Sequence, residues 1–402
     1  MRLLFVSHSL PPEGRPLANL GGMQRVALKL HESLDRKADA ADALNYDALL
    51  LRSAWRTLHA KVPFFLAKAG WTIGRAARND TVDTVLFSSM VTAALAAPLQ
   101  GLLRRHGVQT AAIVHGLDVT TPFAPYQWFV PRVFDALDGV LPVSRATRQA
   151  CLDRGAAPEQ IQVVHNGIDV DRFPEPRDRA TDRRALDDRA NAPAPPPPPE
   201  ALLLCSVGRQ VERKGTAWFV DTVMPRLPDD VHYWIAGDGP QSSAIQAAID
   251  RHNLSSRVRH LGRVSNEMLS HLYRGADLFV MPNVPVANDM EGFGIVLLEA
   301  GQCGIPAIAS RLEGIRDVIT EGVNGHLVSP QDPGAFVGAI VQYRNRPEAL
   351  DAAARRTRRH TKETFGWSAV ADTYLAVLRT LHTGEVRVPA AVDASTAAVP
   401  SS

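Results

Sequence analysis

The sequence predicts an α/β protein built of two parallel-sheet domains, and three observations carry that expectation. Short apolar runs of strand type alternate with helical patterns along most of the chain, the signature of βαβ units. Its 402 residues exceed what one hydrophobic core usually holds. A proline run, Pro195 to Pro199, divides the alternation into two series.

The first series opens with a strand at Leu3–Val6. A Pro/Gly-rich loop follows, then a helix whose Met23, Val26, Ala27, Leu30 and Leu34 share one face. Further strands are expected at Val82–Phe87, Ala111–His115, Gly139–Val143 and Ile161–Val164. The second series places strands at Leu202–Val207, Tyr233–Ala236, Val258–Leu261, Leu278–Met281, Ala307–Ala309 and Gly325–Val328. Trp367, Val370, Tyr374, Val377 and Leu378 then mark an amphipathic helix.

These patterns divide the chain into a first domain at 1–170, a charged, Pro-rich linker at 171–200, a second domain at 201–364, a helix at 365–383 and a small, polar tail at 384–402 that reads as disordered. An SH3-type ligand is the alternative reading of the linker prolines.

Lys and Arg total 44 against 42 Asp and Glu, a balance that excludes a surface-wide footprint for nucleic acid. Cys151, Cys205 and Cys303 lie far apart with no CxxC, so they read as reduced thiols rather than zinc ligands or a disulfide framework. The N-terminal apolar run is too short for a secretory signal, and no apolar stretch reaches spanning length, which makes a cytoplasmic location the expectation.

Four loops carry residue types suited to anion and sugar chemistry. Gly21-Gly22 stands just before the first helix, where backbone amides can approach a phosphate or merely permit a tight turn. His115-Gly116-Leu117-Asp118 follows the third apolar run at a strand's carboxyl end, where open α/β sheets hold ligands; a strand-capping role for His115 is the alternative. Gly208-Arg209 and Lys214-Gly215 follow the first strand of the second domain and place two cations near a helix N-terminus, suiting a diphosphate; the alternative is a solvated charge run. Gly237-Asp238-Gly239-Pro240 is a tight turn with closely approaching backbone.

The densest segment runs from Asp289 to Ala300. Glu291 sits in the turn before a helix and Glu299 about two turns along it, so both carboxylates can look toward one ligand. Gly292 and Gly294 leave room for a sugar and phosphate against the helix start. A buried structural salt bridge is the alternative for Glu299.

Taken with Ser144 and Asn166-Gly167-Ile168-Asp169, these motifs resemble the retaining GT-B glycosyltransferases of family 4, over nearly the whole chain. The resemblance implies two Rossmann-like domains facing a central cleft, the first on the acceptor side and the second binding the donor, with the last helix crossing back to the first domain. It implies that Arg209 and Lys214 bind the diphosphate of a nucleotide-sugar donor and that Glu299 meets the ribose hydroxyls. Glu291 and the amides of Gly292, Phe293 and Gly294, running into Ile295, would hold the donor sugar. His115 would lie beside the transferred sugar, and Gly22, with Gly21, would approach the diphosphate. Asp118, Asn166, Gly208, Gly237 and Asp238 complete the implied substrate-binding set. The long proline-bearing linker departs from the family pattern.

With Arg209 and Lys214 to stabilise a departing diphosphate and no DxD-like acidic pair, neither a metal nor another cofactor is expected beyond the nucleotide diphosphate sugar itself. The implied reaction moves a hexose to a saccharide, lipid-linked or small-molecule acceptor with retention of configuration. A sugar-nucleotide epimerase of the same architecture and a non-catalytic sugar-nucleotide-binding protein are the alternatives. A dinucleotide GxGxxG is absent from the first loop, which disfavours an NAD dehydrogenase.

The stretch from Ala48 to Asn79 contains Arg52, Arg56, Lys61, Lys68, Arg75 and Arg78 with no acid, interleaved with Trp55, Phe64, Phe65 and Trp71. It reads either as a peripheral contact with anionic lipid at the inner face of the membrane or as an ordinary helical face with aromatics packed on the sheet; Pro63 is expected to interrupt a single long helix.

Overall fold

The computed structural model describes residues 1–12, 22–40, 43–53, 55–121, 123–173, 179–190, 197–287, 289 and 293–383. Two compact units emerge, Met1–Gly167 joined by the helix Trp367–Thr383, and Ile168–Gly366. The tail read at 384–402 lies outside the described residues.

The first unit holds a five-stranded parallel sheet of β1 (Arg2–Leu10), β2 (Asn45–Arg52), β3 (Thr84–Phe87), β4 (Gln109–Val114) and β5 (Gly139–Pro142), in the order β2-β1-β3-β4-β5. Leu3 through Leu10 are all buried, as befits a central parallel strand covered on both faces. Leu4 and Val6 face the helices Trp55–Arg78, Ala96–Arg105 and Ala124–Ala136. Leu3 and Phe5 face the helices Gly22–Ala40 and Trp367–Thr383. The last of these helices inserts Val370, Tyr374 and Leu378 into that core. Its His382 Nε2 meets Thr84 Oγ1 at 2.7 Å, and its Asp372 pairs with Lys37 at 2.8 Å.

The second unit holds a six-stranded parallel sheet of β6 (Leu202–Val207), β7 (Val231–Ala236), β8 (Val258–Gly262), β9 (Leu278–Met281), β10 (Ala307–Ser310) and β11 (Gly325–Val328), in the order β11-β10-β9-β6-β7-β8. In each sheet the chain winds outward in both directions from a central strand. The winding reverses between β1 and β3 in the first sheet and between β6 and β9 in the second. Open α/β sheets form a crevice at the carboxyl ends of such strands.

Three sequence expectations are corrected in the first unit. Ile161–Val164 forms no strand and contributes a single bridge, Val140 to Ile161. β2 was not expected; it is a half-buried edge strand and takes Ala48 to Arg52 out of the basic aromatic segment. Pro63 does not interrupt the helix Trp55–Arg78, which runs through it.

The linker at 171–200 contains the helix Arg179–Ala190, which belongs to the second unit. Two of its charged residues, Asp182 and Arg183, are buried and paired rather than solvated. Arg183 donates to Asp277 Oδ2 at 2.5 Å and to the Gly275 carbonyl at 2.9 Å, and Asp182 takes His271 and Arg274 at 2.7 Å each.

Candidate functional site

The crevice of the second sheet opens where β6 and β9 part, lined by Ser206, Val207, Gly208, Gln210, Lys214 and Thr216 on one side and Phe279 to Asn283 on the other. Ser206 ties its floor together. Its hydroxyl receives Tyr233 Oη at 2.7 Å and donates to the Val280 carbonyl.

The loop after β6 depends on glycine. Gly208 has φ 151°, and the side chain of Lys214 folds over it, Cε and Nζ standing 3.4 and 3.8 Å from where a Cβ would be. Gly215 has φ 64° and lies so close to β9's exit that a Cβ would stand 2.0 Å from the Pro282 carbonyl oxygen. A Cβ on Gly237, at φ 121°, would meet the Gly208 carbonyl oxygen at 1.9 Å. Backbone bonds from Gln210 N to the Asp238 carbonyl, 3.1 Å, and from Gly208 N to the Ala236 carbonyl, 3.0 Å, lock the β6 and β7 loops together. The result holds the Lys214 ammonium at the mouth of the sheet while Arg209 extends into solvent.

Gln210 was not among the expected residues. Its Nε2 donates to the Gly208 carbonyl at 2.8 Å, and its buried Oε1 has no hydrogen-bond partner among the described residues. Asp238 serves its own turn, accepting from Gly239 N at 2.8 Å and Ser242 Oγ at 2.9 Å.

Glu299 lies on the helix Ile295–Gln302 and is 6% exposed. Arg172 pairs with its Oε1, and Tyr273 donates to its Oε2 at 3.0 Å. The Arg172 guanidinium in turn stacks on Phe173, 4.9 Å from the ring centroid. The salt bridge weighed as the alternative for Glu299 is therefore present. A carboxylate carries about four lone-pair sites, so two remain to accept from a ligand hydroxyl.

Gly294 immediately precedes that helix, and Ile295 N donates to the Phe293 carbonyl at 2.8 Å. Glu291 and Gly292 lie outside the described residues, as does Gly21; Gly22 begins the helix Gly22–Ala40.

The first sheet gathers a second polar cluster where β1 and β3 part. Ser88 donates to Ser7 Oγ at 3.0 Å, and Ser89 Oγ meets His8 Nδ1 at 3.3 Å. His115, at the exit of β4, sets Nε2 3.3 Å from the Ser88 carbonyl. A carbonyl only accepts, so the neutral ring carries its proton on Nε2 and keeps Nδ1 as an acceptor. Asp118 Oδ2 accepts from His115 N at 3.3 Å and Met90 N at 3.4 Å, bridging the two loops.

Burial pushes the His8 and His115 imidazoles down to about 4 and lifts the Asp118 carboxyl to about 7. Asn166 is buried in this unit, its Oδ1 without a protein donor among the described residues. Neither His8 nor Asp118's bridging role was singled out from sequence. His8 stands at the carboxyl end of the first apolar run, the position that could have marked it.

Residues 201–345 match the model of glycosyl transferases group 1, and residues 20–172 match that of glycosyltransferase family 4. A GDP-mannose-dependent α-(1-6)-phosphatidylinositol monomannoside mannosyltransferase of Mycolicibacterium smegmatis is 27% identical over 88% of this chain and 92% of its own length. A D-inositol 3-phosphate glycosyltransferase of Geodermatophilus obscurus is 32% identical over 57% of this chain, and the match spans only 49% of that protein. Among solved structures, Anabaena HepE in complex with UDP superposes with a TM-score of 0.63 at 17% identity, covering 94% of this chain and 100% of that one. Sucrose-phosphate synthase from Thermosynechococcus elongatus gives 0.60 at 21% identity, covering 95% and 99%.

Proposed function

The chain belongs to the group 1, family 4 glycosyltransferases and has their GT-B fold, and from that membership we propose that it moves a hexose from a nucleotide diphosphate sugar to a saccharide, lipid-linked or small-molecule acceptor. The observation that carries the reading is the β6–β9 crevice, where the Lys214 ammonium is folded over Gly208 at the topological switch point. A diphosphate seated there meets a cation and a backbone stripped of Cβ atoms, so its oxygens reach the main chain.

Departure of the nucleoside diphosphate builds negative charge on the bridging oxygen. Lys214, with Arg209 closing from solvent, stabilises that charge as the glycosidic bond breaks, which removes the need for a divalent ion. Glu299, oriented by Arg172 and Tyr273, accepts from the ribose hydroxyls through its remaining lone pairs. Phe293, Gly294 and Ile295 lead into the helix Ile295–Gln302, whose positive amino end favours the phosphate side of the donor, and together with Glu291 and Gly292 they are the residues assigned to the donor sugar.

In the first unit, neutral His115 offers Nδ1 as an acceptor to a hydroxyl of the transferred sugar. Family membership supports retention of anomeric configuration as part of this reading, and the relatives' names favour an acceptor carrying inositol or a lipid. The reaction draws on sugar nucleotides of the cytoplasm.

A thermal-shift panel of UDP, GDP and ADP and their sugars tests the proposal. A ligand at 100 times its Kd stabilises by about 2.7 kcal/mol, so one base should raise Tm well above the others. No shift with any of them contradicts it.

A further inference from the structure

The helix Trp55–Arg78 buries Ala69, Ile73 and Ala77 against the first sheet and turns a different stripe outward. Lys61, Phe64, Lys68, Trp71, Arg75 and Arg78 recur at alternating intervals of three and four residues, the spacing of one helical face, and all six are exposed. Phe64 is 81% exposed and Trp71 64%. Arg75 sits 5.5 Å over the Trp71 ring, so cation and aromatic form one surface rather than two patches.

The surface continues across neighbouring helices of the same layer. The helix Ala96–Arg105 ends in exposed Arg104 and Arg105, and the helix Ala124–Ala136 carries Trp128, exposed under the Arg132 guanidinium at 3.5 Å. Across these three helices Asp135 is the one acidic side chain. Among the described residues every exposed large hydrophobic side chain, Phe123 included, lies in this unit and near this layer.

The geometry points to this face as a docking surface for an anionic lipid bilayer. Aromatic rings standing out of a convex helical face enter the interface between headgroups and acyl chains, while cations on the same stripe meet lipid phosphates. A single strand of nucleic acid would instead ask for a groove with rings on its floor. The inference does not rest on the donor chemistry, and it is read without any glycosyl transfer.

Flotation with vesicles of phosphatidylcholine alone and of phosphatidylcholine with phosphatidylglycerol tests it. The full chain should float with the anionic vesicles and far less with the neutral ones, and high salt should release it. Lys68→Gln with Arg75→Gln should weaken the anionic binding about fivefold for each cation removed, and Phe64→Ser with Trp71→Ser should weaken it as well. All four side chains are exposed, so both variants should keep the Tm of the parent protein, which separates loss of docking from loss of fold.

Absence of flotation, equal flotation on neutral vesicles, or undiminished binding by both folded variants overturns the inference. So does light scattering that shows a dimer dispersed by the aromatic substitutions, which would assign the face to a second copy of the chain. Retention of the protein by a single-stranded oligonucleotide in preference to anionic vesicles overturns it too.

Discussion

The Tyr273 hydroxyl donates to Oε2 of Glu299 at 3.0 Å inside the second unit, while Arg172 holds the other carboxylate oxygen. Glu299 is thereby oriented before any ligand arrives, and burial beside the carboxylate keeps the Tyr273 phenol protonated, its pKa raised well above 10. Tyr273→Phe leaves the ion pair in place and removes one hydrogen bond, so stability should drop by about 1 kcal/mol. Donor affinity should fall with it as the carboxylate loses its fixed direction. Denaturant unfolding and nucleotide calorimetry read the two effects, and unchanged values in both would contradict the orienting role.

Gly215→Ala should be costly. The new Cβ would collide with the Pro282 carbonyl oxygen, a backbone atom with little freedom, and the φ of 64° disfavours any side chain. A loss above about 2 kcal/mol is expected, with nucleotide binding impaired because Lys214 is the preceding residue. A Tm equal to that of the parent protein would show that the β6 and β9 exits are less tightly packed than described.

Most strands of the second sheet were legible because β6, β7, β9 and β10 are largely buried apolar runs, while β8 and β11 are half-buried; three of the six begin and end where the sequence placed them. β2 was not, since Asn45, Tyr46 and Asp47 break its apolar run and edge position leaves it half buried. The helix Arg179–Ala190 escaped for a related reason. Composition marks RATDRRALDDRA as solvated, yet Asp182 and Arg183 are satisfied by His271, Arg274 and Asp277, partners that only the tertiary fold supplies. Glu299 could be picked out by its spacing from Glu291, but Arg172 lies 127 residues from it and carries no local signal.

Asp118 should leave a signature in the pH dependence of stability. Burial lifts its carboxyl to about 7, against about 3.9 for an unfolded chain. Between those values the folded protein holds a proton the unfolded chain has lost, so this group lowers stability as pH rises through the window.

His8 and His115 act in the opposite sense. Burial lowers both to about 4 from about 6.5, so the stability they contribute is lost as pH falls below about 6.5. Asp118→Asn removes only the first effect. The Tm of the parent minus that of the variant should therefore fall between about pH 5 and about pH 8, and a constant difference would contradict a buried, proton-holding Asp118.

If Lys214 and Arg209 hold the diphosphate as proposed, they supply the charge a divalent cation would otherwise provide, and glycosyl transfer should persist in excess EDTA. Loss of turnover on chelation, restored by Mg²⁺ or Mn²⁺, would reassign the diphosphate to a metal.

The most direct test is calorimetric titration of a nucleoside diphosphate, with the base chosen by thermal shift, into the parent protein and into Lys214→Ala. The ammonium folded over Gly208 is the central element of the proposed donor site. Saturable binding should weaken by about 1.5–3 kcal/mol in the variant, roughly tenfold or more, the loss expected for a charge-assisted hydrogen bond. Equal affinity in the two proteins would place the diphosphate elsewhere and contradict the account.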